Sequence, residues 1–451
     1  MDFAIVFVLF LGTMLISMLM DINVIIPLLI GFVLFYGVGF KRGNSIAQLM
    51  VMAKDGIKTS MGVIKILLMI GCLTSLWRAC GTIPAFLYHG ISLVTPKSFV
   101  LIAFLLTALL SYLLGSSFAV IGTAGVLLMI LGDIGGVNSA LIAGAVMSGS
   151  YFGDRTSKVS SSMFLTATMA HVDKDQYANL LLKTGSVPFI LSTIIYLVLS
   201  IKNPLSVVSD DILDGLYSSF NISFWSFIPA IALLFLPWFK IGMTKTLIAT
   251  IVLSLVVGAT VEGLSINDMA IFILTGYEGG PGPLGDILDG GGIISMIKII
   301  GVIIISASYA GLFEATKMLD PVKDKVVLIA EKFGNLAASL LVSTATVLIF
   351  CNQTIPIIMT SYMTEKVYKS DKIKEIQVAD RTIEQVPLME MASDIGNTLI
   401  TTCAVVPWSV ACIVPLLMLG SGPEAIPWSF FLWLNPICYI FTKRFFGKHF
   451  K

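Results

Sequence analysis

The sequence is dominated by a series of apolar runs, each long enough to cross a lipid bilayer. One run covers residues 3–20, the next covers residues 22–40, and the last ends near Tyr439. A helix crosses the ~30 Å hydrocarbon core with about 20 residues, which gives roughly ten to twelve spanning or half-spanning segments here. Charged residues make up only 12% of the 451-residue chain, whereas soluble domains contain about 25%. The sequence therefore predicts an all-α polytopic membrane protein.

Basic and acidic residues are distributed unequally among the connections between these runs. Lys41 and Arg42 follow the second run, and Lys443 and Arg444 follow the last. The connections near residues 210–214 and 262–289 are rich in acidic residues instead. Because basic loops stay in the cytoplasm, we expect both termini to be cytoplasmic and the acidic loops to be external. The predicted location is the cell membrane of a bacterium, with the lipid bilayer as a partner.

The sequence offers no apparatus for catalysis or for a tightly bound cofactor. Its six cysteines lie mostly inside apolar runs without CxxC spacing, and its three histidines have no partner at ligand spacing. It contains no HExxH, GxSxG or ATP-binding motif. A net charge of +1 gives no reason to expect a nucleic-acid partner. We therefore expect no enzyme and no cofactor other than a bound Na⁺.

Two hydrophobic halves contain similar stretches in the same order. The stretch at Gly62, GVIKILLMIGCLTSLW, resembles the one at Ser295, SMIKIIGVIIISASYA, with Lys65 and Lys298 at matching places. A second pair, LLGSSFAVIGT and LIFCNQTIPIIM, lies a similar distance further along each half. We expect the two lysines to extend toward the membrane interface. The predicted organisation is an N-terminal half (1–201), a middle connection with two spans and acidic loops (202–290), and a C-terminal half (291–451).

A third pair of stretches is polar and interrupts an apolar run in each half. GDRTSKVSSS, which contains Asp154, can be aligned with SDIGNTLITT, which contains Asp394. In this register Ser157 matches Asn397, and the serine run matches Thr401 and the residue after it. Paired polar interruptions are typical of transporters built from inverted repeats, whose broken helices meet near the middle of the membrane. The sequence thus predicts an inverted-repeat transporter with broken helices and re-entrant hairpins.

These polar stretches supply the candidate binding residues. Ionisable side chains inside a membrane cost a few kcal/mol each, so their presence points to function. The nearest charged neighbours of Asp154 are Arg155 and Lys158, and helical spacing would place Asp154 and Lys158 on one face. The full set of candidates is Asp154, Arg155, Ser157, Lys158, Ser160, Ser161, Ser162, Asn352, Gln353, Asp394, Asn397, Thr398, Thr401 and Thr402.

Two structural explanations compete with this functional reading. The charges that begin at Asp154 could form a solvated helix end at the membrane edge. Asp394 could be the N-terminal cap of one helix that runs to Leu419, with Pro407 as a kink inside it. Asn352 and Gln353, by contrast, are expected to line a second break, because lone amides that face lipid are costly.

The two longest polar stretches resemble the signatures of a known transporter family. GSYFGDRTSKVSSSMFLTATMAHVD and GNTLITTCAVVPWSVACIVPLLMLG are similar to the two motifs of NhaC-type sodium/proton antiporters. The chain departs from the family pattern at several positions. Lys158 stands where the family has Pro, Ser161 stands where it has Asp, Asn397 stands where it has an acidic residue, and the family's PWN is PWS, which ends at Ser409.

The resemblance implies an ion-coupled secondary transporter of the ion transporter superfamily, working by alternating access. Members exchange Na⁺ for H⁺, or small organic acids such as malate for lactate. In the first case, Asp154 or Asp394 would carry the proton, and Na⁺ would be held by Asp154, Ser160, Asn397 and Thr398. In the second case, Arg155 or Lys158 would pair with a carboxylate of an organic anion or amino acid. A homodimer is also compatible with the resemblance.

Two other classes fit the sequence less well. A membrane-embedded enzyme would need a catalytic constellation, and the sequence contains none of the common ones. A channel would usually need a ring of repeated filter segments. Two unequal polar interruptions in one chain favour a carrier instead.

Overall fold

A computed structural model describes residues 2–20, 22–23, 25–93, 95–206, 210–239, 241–280, 285, 288–315, 323–350, 352–369, 377–378, 381–382 and 388–449. The helices in the first half of the chain are α1 (Asp2–Leu19), α2 (Ile25–Lys41), α3 (Ile46–Ala79), α4 (Thr82–Leu93), α5 (Phe99–Leu114), α6 (Ser117–Val120), α7 (Val126–Ile134), α8 (Ser139–Thr156), α9 (Ser161–Met169) and α10 (Lys174–Lys202). A π-helical turn, Ile121–Gly125, joins α6 to α7.

The rest of the chain is also mostly helical. Its helices are α11 (Asp210–Ser219), α12 (Ile228–Phe235), α13 (Met243–Thr260), α14 (Ile266–Thr275), α15 (Gly292–Ala315), α16 (Lys323–Phe333), α17 (Asn335–Phe350), α18 (Thr354–Lys369), α19 (Met389–Cys403), α20 (Val410–Met418) and α21 (Phe430–Thr442). Two strands of two residues each, β1 (Gln377–Val378) and β2 (Arg381–Thr382), pair antiparallel between α18 and α19.

The predicted fold class, an all-α polytopic membrane protein, is confirmed. In the described part of the chain, six helical segments are long and apolar enough to cross a bilayer. They are Ile46–Ala79, Pro96–Leu114, Ser117–Ile134, Lys174–Lys202, Met243–Thr260 and Gly292–Phe313. Shorter apolar helices accompany them, such as Ile25–Lys41 and Asn335–Phe350. The chain therefore is an integral membrane protein.

Helices α3 and α15, which carry the first pair of repeated stretches, pack against each other. A Cβ atom on Gly56 would lie 2.2 Å from the carbonyl oxygen of Ala307, and one on Gly71 would lie 2.8 Å from that of Gly292. Only glycine allows such close backbone contact, and the order of these contacts makes the pair antiparallel. Helices α1, α2, α12, α13 and α14 pack around α3 and α15, directly or through one another. We call this group, α1–α3 and α12–α15, the outer bundle.

The second pair of repeated stretches forms two helical hairpins. In hairpin 1, α5 leads to a turn at residues 115–116, and α6–α7 leads back. The amides of Leu205 and Ser206 donate to the carbonyls of Pro96 (3.0 Å) and Gly135 (2.7 Å), so both open ends of hairpin 1 lie beside the end of α10. In hairpin 2, α17 and α18 flank a turn at residues 352–353, and the Tyr368 hydroxyl donates to the carbonyl of Asn335 at 3.3 Å.

The third pair of repeated stretches forms two broken helices. Helix α8 ends at Thr156 and α9 begins at Ser161, while α19 ends at Cys403 and α20 begins at Val410. Helices α9 and α20 have nine residues each, half of what a membrane crossing needs. Their N-caps are Ser160 and Ser409, whose hydroxyls accept backbone N–H groups.

The open ends of the two hairpins lie at opposite ends of the first broken helix. The first broken helix begins beside the open end of hairpin 1 and ends at Ala170, whose carbonyl accepts the amide of Leu388 at 3.0 Å. Leu388 precedes α19, and Tyr368 of hairpin 2 bonds to Asp394 in α19. The open end of hairpin 2 therefore lies at the other end of the broken helix. This is the arrangement that an inverted repeat produces.

The sequence register of the third pair differs from the structure. Asp154 lies in the last turn of α8, whereas Asp394 lies in the second turn of α19 and Thr401 occupies its last turn. The competing alternative of one helix that runs to Leu419 is also wrong, because Pro407 lies in the gap between α19 and α20. The sequence alignment matched acidic side chains, but serine caps and a proline decide where helices end.

The core bundle, α5–α10 and α17–α21, contains both hairpins and both broken helices. It packs against the outer bundle through α3, α12 and α15. Each bundle takes helices from both halves of the sequence, so the boundaries at 201 and 290 do not coincide with the packed units. The hairpin turns and helix breaks of the core bundle lie where it contacts the outer bundle. The candidate site lies at this contact.

Candidate functional site

A cavity of about 490 Å³ lies between the two bundles, at the chain interruptions of the core bundle. Its wall on the outer side includes Thr59 and Ser60 of α3 and Ile303 of α15. The polar wall on the core side consists of residues from hairpin 1, hairpin 2 and the first broken helix. These are Ser116, Ser117, Asp154, Ser161, Ser162, Asn352, Gln353 and Thr354. Asn352 and Gln353 thus line the same cavity as Ser116 and Ser117.

The carboxylate of Asp154 is surrounded by serine hydroxyls. Ser160 donates to Asp154 Oδ1 at 2.9 Å, while Ser117 and Ser162 lie 3.4 and 3.5 Å from Oδ2. Hydroxyl donors normally approach an oxygen to about 2.7–2.8 Å, so the last two contacts are loose. Only 4% of Asp154 is exposed. A nearly buried carboxylate with one firm and two loose hydroxyl partners can accept a small cation or a proton from the cavity.

The two cations next to Asp154 in sequence are bound elsewhere. Arg155 is fully buried and donates to Asn397 Oδ1 (2.5 Å) and to the carbonyl of Leu181 (2.7 Å). Lys158 forms an ion pair with Asp175 at 2.9 Å, and its side chain is 46% exposed. Neither cation therefore pairs with Asp154, although the two are its nearest charged neighbours in the sequence.

The end of α8 explains why these side chains point away. Successive residues of a helix are rotated by about 100°, which turns Arg155 away from the cavity that Asp154 faces. Lys158 follows the end of α8 at Thr156, so the helical spacing to Asp154 assumed from the sequence does not exist. Among the described residues, the hydrogen-bond partners of Asp154 are serines alone.

Several helix N-termini converge on the cavity. Its lining includes the first residues of α6, α9, α18 and α20, namely Ser117, Ser161, Thr354 and Val410. The first N–H groups of a helix lack intrahelical partners, and the helix dipole adds a partial positive charge there. These N-termini favour negative charge in the cavity. They can therefore receive an anionic group of a ligand.

The second polar stretch forms a separate cluster around Asp394, away from the lining of the cavity. Asp394 is fully buried and accepts hydrogen bonds from Tyr368 (2.5 Å), Tyr439 (2.8 Å) and Lys443 (2.6 Å). Lys443 also pairs with Glu390 at 2.8 Å. The contacts of Tyr439 and Lys443 tie the end of α21 to α19, and the contact of Tyr368 ties α18 to α19. Asp394 therefore has its bonding capacity occupied by resident side chains.

The amide and hydroxyls that follow Asp394 are also occupied within the bundle. Asn397 accepts Arg155 and donates to the carbonyl of Ser393 at 2.8 Å. The hydroxyls of Thr398, Thr401 and Thr402 donate to carbonyls of α19 itself, at 2.7, 3.1 and 2.8 Å. The structure thus does not bring these four residues together with Asp154 at the cavity. Among the described contacts of the four, only those of Asn397 reach other helices, because it accepts Arg155 of α8 at its side chain and Asn435 of α21 at its carbonyl.

The remaining candidates differ in their contacts. Ser157 is buried and its hydroxyl accepts the amide of Val159 at 3.4 Å, a contact within the break. Asn352 caps α18 through the amide of Ile355 at 3.0 Å. Gln353 Nε2 is buried and has no hydrogen-bond partner among the described residues. Gln353 lines the cavity, and its amide is a donor that no described residue uses.

Sequence reasoning placed Ser117 in a break but did not include it among the binding residues. Its position directly after Gly115 and Ser116 was the available signal, because a Gly-Ser turn between apolar runs begins the returning arm of hairpin 1. Thr59 and Ser60 had no such signal. They lie in a regular part of α3, and only the packing of the two bundles brings them to the cavity.

The described residues form two helical hairpins, two broken helices and a carboxylate-bearing cavity between two bundles, and this combination is typical of a secondary active transporter. The family comparison agrees with this class. The model of the Na⁺/H⁺ antiporter family matches residues 3–201 and 151–448. The chain belongs to the Na⁺/H⁺ antiporter family, so it is a transporter, as the sequence motifs indicated.

Individual relatives are similar over most of their length. The chain is 27% identical to the malate-2H⁺/Na⁺-lactate antiporter of Bacillus subtilis, over 95% of this chain and 91% of that protein. It is 26% identical to the Na⁺/H⁺ antiporter NhaC of Alkalihalophilus pseudofirmus, over 86% of this chain and 82% of that protein. It is also 26% identical to the arginine/ornithine antiporter ArcD of Halobacterium salinarum, over 62% of this chain and 60% of that protein. The relatives thus differ in the solutes that their names give.

Proposed function

We propose that the chain exchanges Na⁺ for H⁺ across the cell membrane, and that Asp154 carries each ion in turn. The observation that carries this proposal is the set of partners around Asp154. Its carboxylate faces the cavity with serine hydroxyls beside it, while Arg155 and Lys158 are bound to other groups. A carboxylate without a resident cation needs either a proton or a transported cation when it moves through a low-dielectric environment.

The proposed Na⁺ site consists of Asp154, Ser117, Ser160 and Ser162. Carboxylate and hydroxyl oxygens are hard ligands of the kind that hard cations prefer. A cation beside Asp154 Oδ2 can draw in the two loosely placed hydroxyls. Of the Na⁺ ligands considered from the sequence, Asn397 and Thr398 are left out of this proposal, because both are bonded within the core bundle.

We further propose that both termini are cytoplasmic and that the membrane is the bacterial plasma membrane. The support is the basic clusters after α2 and α21 and the acidic connections near residues 210–214 and 262–289. A homodimer, considered from the sequence, remains part of the proposal.

The test is Na⁺-driven proton flux into proteoliposomes that contain a pH dye. For the wild type, we expect an outwardly or inwardly directed Na⁺ gradient to drive proton movement in the opposite direction. Asp154→Asn keeps the size of the side chain but removes its charge, and we expect flux at the level of protein-free vesicles. The matched control is Asp133→Asn, since Asp133 is an exposed carboxylate that bonds to Ser139 outside the cavity. Wild-type Na⁺-driven proton flux in Asp154→Asn would contradict the proposal.

A second candidate function is exchange of a small organic anion or amino acid coupled to Na⁺ or H⁺. The observation that favours it is the cavity volume of about 490 Å³, which falls in the range of about 300–1,000 Å³ usual for small-molecule sites. The cavity also has helix N-termini for a carboxylate, and its lining includes the amide donor of Gln353, which no described residue uses. Arg155 and Lys158, considered earlier for this role, are absent from its lining.

The same vesicles distinguish the two functions. Proton flux with Na⁺ alone supports Na⁺/H⁺ exchange. If flux begins only after dicarboxylates, hydroxy acids or amino acids are added, the organic-solute function is favoured. In that case Gln353→Leu is expected to weaken the effect of the organic solute more than that of Na⁺.

A further inference from the structure

A second cavity, of about 210 Å³, lies on the other side of hairpin 1. It is bounded by α5, α6–α7 and the π-turn between them on one side, and by α3, α4 and α12 on the other. We call it the hairpin groove, and its main lining residues are Trp77, Leu106, Leu110, Thr123, Leu127 and Leu233. Leu114, next to the turn of hairpin 1, lines both this groove and the cavity that Asp154 faces, which we call the ion cavity.

The hairpin groove is long and narrow. Along α5 it is lined by Ile102, Leu106, Leu110 and Leu114, one residue from each successive turn. Twelve residues of helix cover about 18 Å. Along the returning arm, Leu127 and its neighbours one turn away on either side line the groove in the same way. This shape fits an extended hydrocarbon chain better than a compact ligand.

The chemistry of the lining also selects an apolar occupant. Thr123 is one of two side chains in it with a polar hydrogen, and its hydroxyl already donates to the carbonyl of Ala119 at 2.6 Å. The other is Trp77, which is 2% exposed and whose Nε1 has no hydrogen-bond partner among the described residues. A cavity lined in this way does not hold water well, because water needs two to four polar partners.

The groove is reachable from the lipid-facing surface. Leu106, which lines it, is 38% exposed, and Leu109 on the neighbouring face of α5 is 56% exposed. Trp77 lies in the last turn of α3, a helix long and apolar enough to cross a bilayer, and the end of such a helix is expected near the membrane interface. Tryptophan is enriched at that level, where the ester groups of phospholipids also lie.

We propose that the hairpin groove binds an acyl chain of a membrane phospholipid. The acyl chain packs along α5 and α6–α7. The indole N–H of Trp77 donates to the ester carbonyl that joins this acyl chain to the lipid headgroup. The lipid would thus separate hairpin 1 from α3, α4 and α12, while the other side of hairpin 1 lines the ion cavity. This inference does not depend on which solute the protein carries.

The test uses quenching of tryptophan fluorescence by lipids with brominated acyl chains. The protein is reconstituted in phosphatidylcholine with or without bromine on the chains, and the emission of Trp77 is taken as the difference between the wild type and Trp77→Phe. We expect brominated chains to remove most of this difference emission. Ala124→Phe, which adds a ring inside the groove, is expected to restore it.

The matched control is Leu109→Phe, which adds a ring on the lipid-facing side of the same hairpin, outside the groove lining. It should leave the quenching of Trp77 unchanged. If Ala124→Phe does not fold, Ala124→Leu serves as a smaller filling substitution. Trp77 emission that is equal in brominated and plain lipid would overturn the proposal. So would quenching that Ala124→Phe and Leu109→Phe affect equally, because surface lipid alone would then explain it.

Discussion

At the scale of single residues, Asp154 keeps its charge available because both neighbouring cations are bound elsewhere. Asn397 and the carbonyl of Leu181 hold Arg155, and Asp175 holds Lys158. A buried carboxylate next to a guanidinium would form a closed pair, and a transported ion would then have to break it. The amide at position 397 matters for this reason. It binds Arg155 without adding another carboxylate to the bundle.

The serine hydroxyls around Asp154 are expected to contribute unequally to ion binding. Ser160 makes the single contact of normal length, at 2.9 Å. A hydrogen bond to a charged group contributes about 1.5–3 kcal/mol, so Ser160→Ala should weaken the apparent affinity for Na⁺ by about tenfold or more. The measurement is the Na⁺ dependence of proton flux in proteoliposomes.

Ser161→Ala is the control for this prediction. Ser161 also lines the cavity, but it is exposed and lies one residue beyond the cap of α9. Its removal should leave the Na⁺ dependence close to that of the wild type. Equal effects of the two substitutions would contradict the assignment of Ser160 as the firm hydroxyl partner of Asp154.

Sequence reasoning could select Asp154 together with Ser160 and Ser162, but it did not select Ser117 or give the direction of the adjacent cations. A charge with hydroxyls inside an apolar run is informative because burial is costly for such groups. The partners of Arg155 lie far away in sequence, at Leu181 and Asn397, and nothing local indicates them. The position of Lys158 depended on where α8 ends, which is the least certain feature of a helix prediction.

At the scale of secondary-structure elements, the turn of hairpin 1 is packed against the first broken helix. Gly115 has a φ of +66°, and a Cβ atom there would lie 2.6 Å from Val159 Cγ2 and 2.9 Å from the backbone nitrogen of Ser160. Glycine is therefore needed for two reasons, a left-handed backbone and close contact with another backbone. The contact fixes the turn beside the residue that caps α9.

We expect Gly115→Ala to abolish or strongly reduce transport by displacing Ser160 from Asp154. The control is Gly136→Ala. Gly136 has nearly the same φ, +68°, but its Cβ atom would meet only Ser206 Oγ at 3.6 Å. Both substitutions strain the backbone by roughly 1–2 kcal/mol, so only the first adds a clash at the site. Thermal unfolding and Na⁺-driven flux of both variants separate the two effects. Similar loss of flux in both would mean that strain alone matters.

The elements were predictable in kind but not in register. Polar interruptions at matching places indicated broken helices and re-entrant hairpins. The alignment of Asp154 with Asp394 was wrong in structural terms, because it followed the charge rather than the helix ends. Ser160 and Ser409, which cap α9 and α20, give the correct correspondence. Capping serines are common in any sequence, so they could not have been chosen without the structure.

At the scale of the whole molecule, the site depends on contact between the two bundles. The outer bundle supplies one wall of the cavity from α3 and α15, and the core bundle supplies Asp154 and the helix N-termini. A carrier that opens to each side in turn can do so by moving one bundle relative to the other. The sequence could not indicate this division, because each bundle combines helices from both halves.

A cross-link between the bundles is expected to stop transport. A Cβ atom on Gly122, in the π-turn of hairpin 1, would lie 2.6 Å from Ile70 Cγ2 in α3. Cysteines at both positions should come within disulfide distance, since bonded cysteines have Cβ atoms about 3.5–4.5 Å apart. We expect oxidation of Gly122→Cys/Ile70→Cys to abolish flux and reduction to restore it. The measurement combines thiol labelling with Na⁺-driven proton flux.

The controls are the single substitutions Gly122→Cys and Ile70→Cys. Each variant keeps the native cysteines but cannot form this bond. They should transport equally well before and after oxidation. Undiminished flux from a fully oxidised double variant would show that the two bundles do not need to move at this contact.

The helix N-termini around the cavity also affect how the cargo of such a carrier can change during evolution. Their N–H groups belong to the backbone, so they persist whatever side chains occupy the adjacent turns. Substitutions at residue 116 and in the short segments at residues 157–160 and 352–353 alter the ligands and leave the membrane-spanning frame intact. A lineage can therefore acquire a new solute through a few local mutations, and the rest of the fold need not be rebuilt.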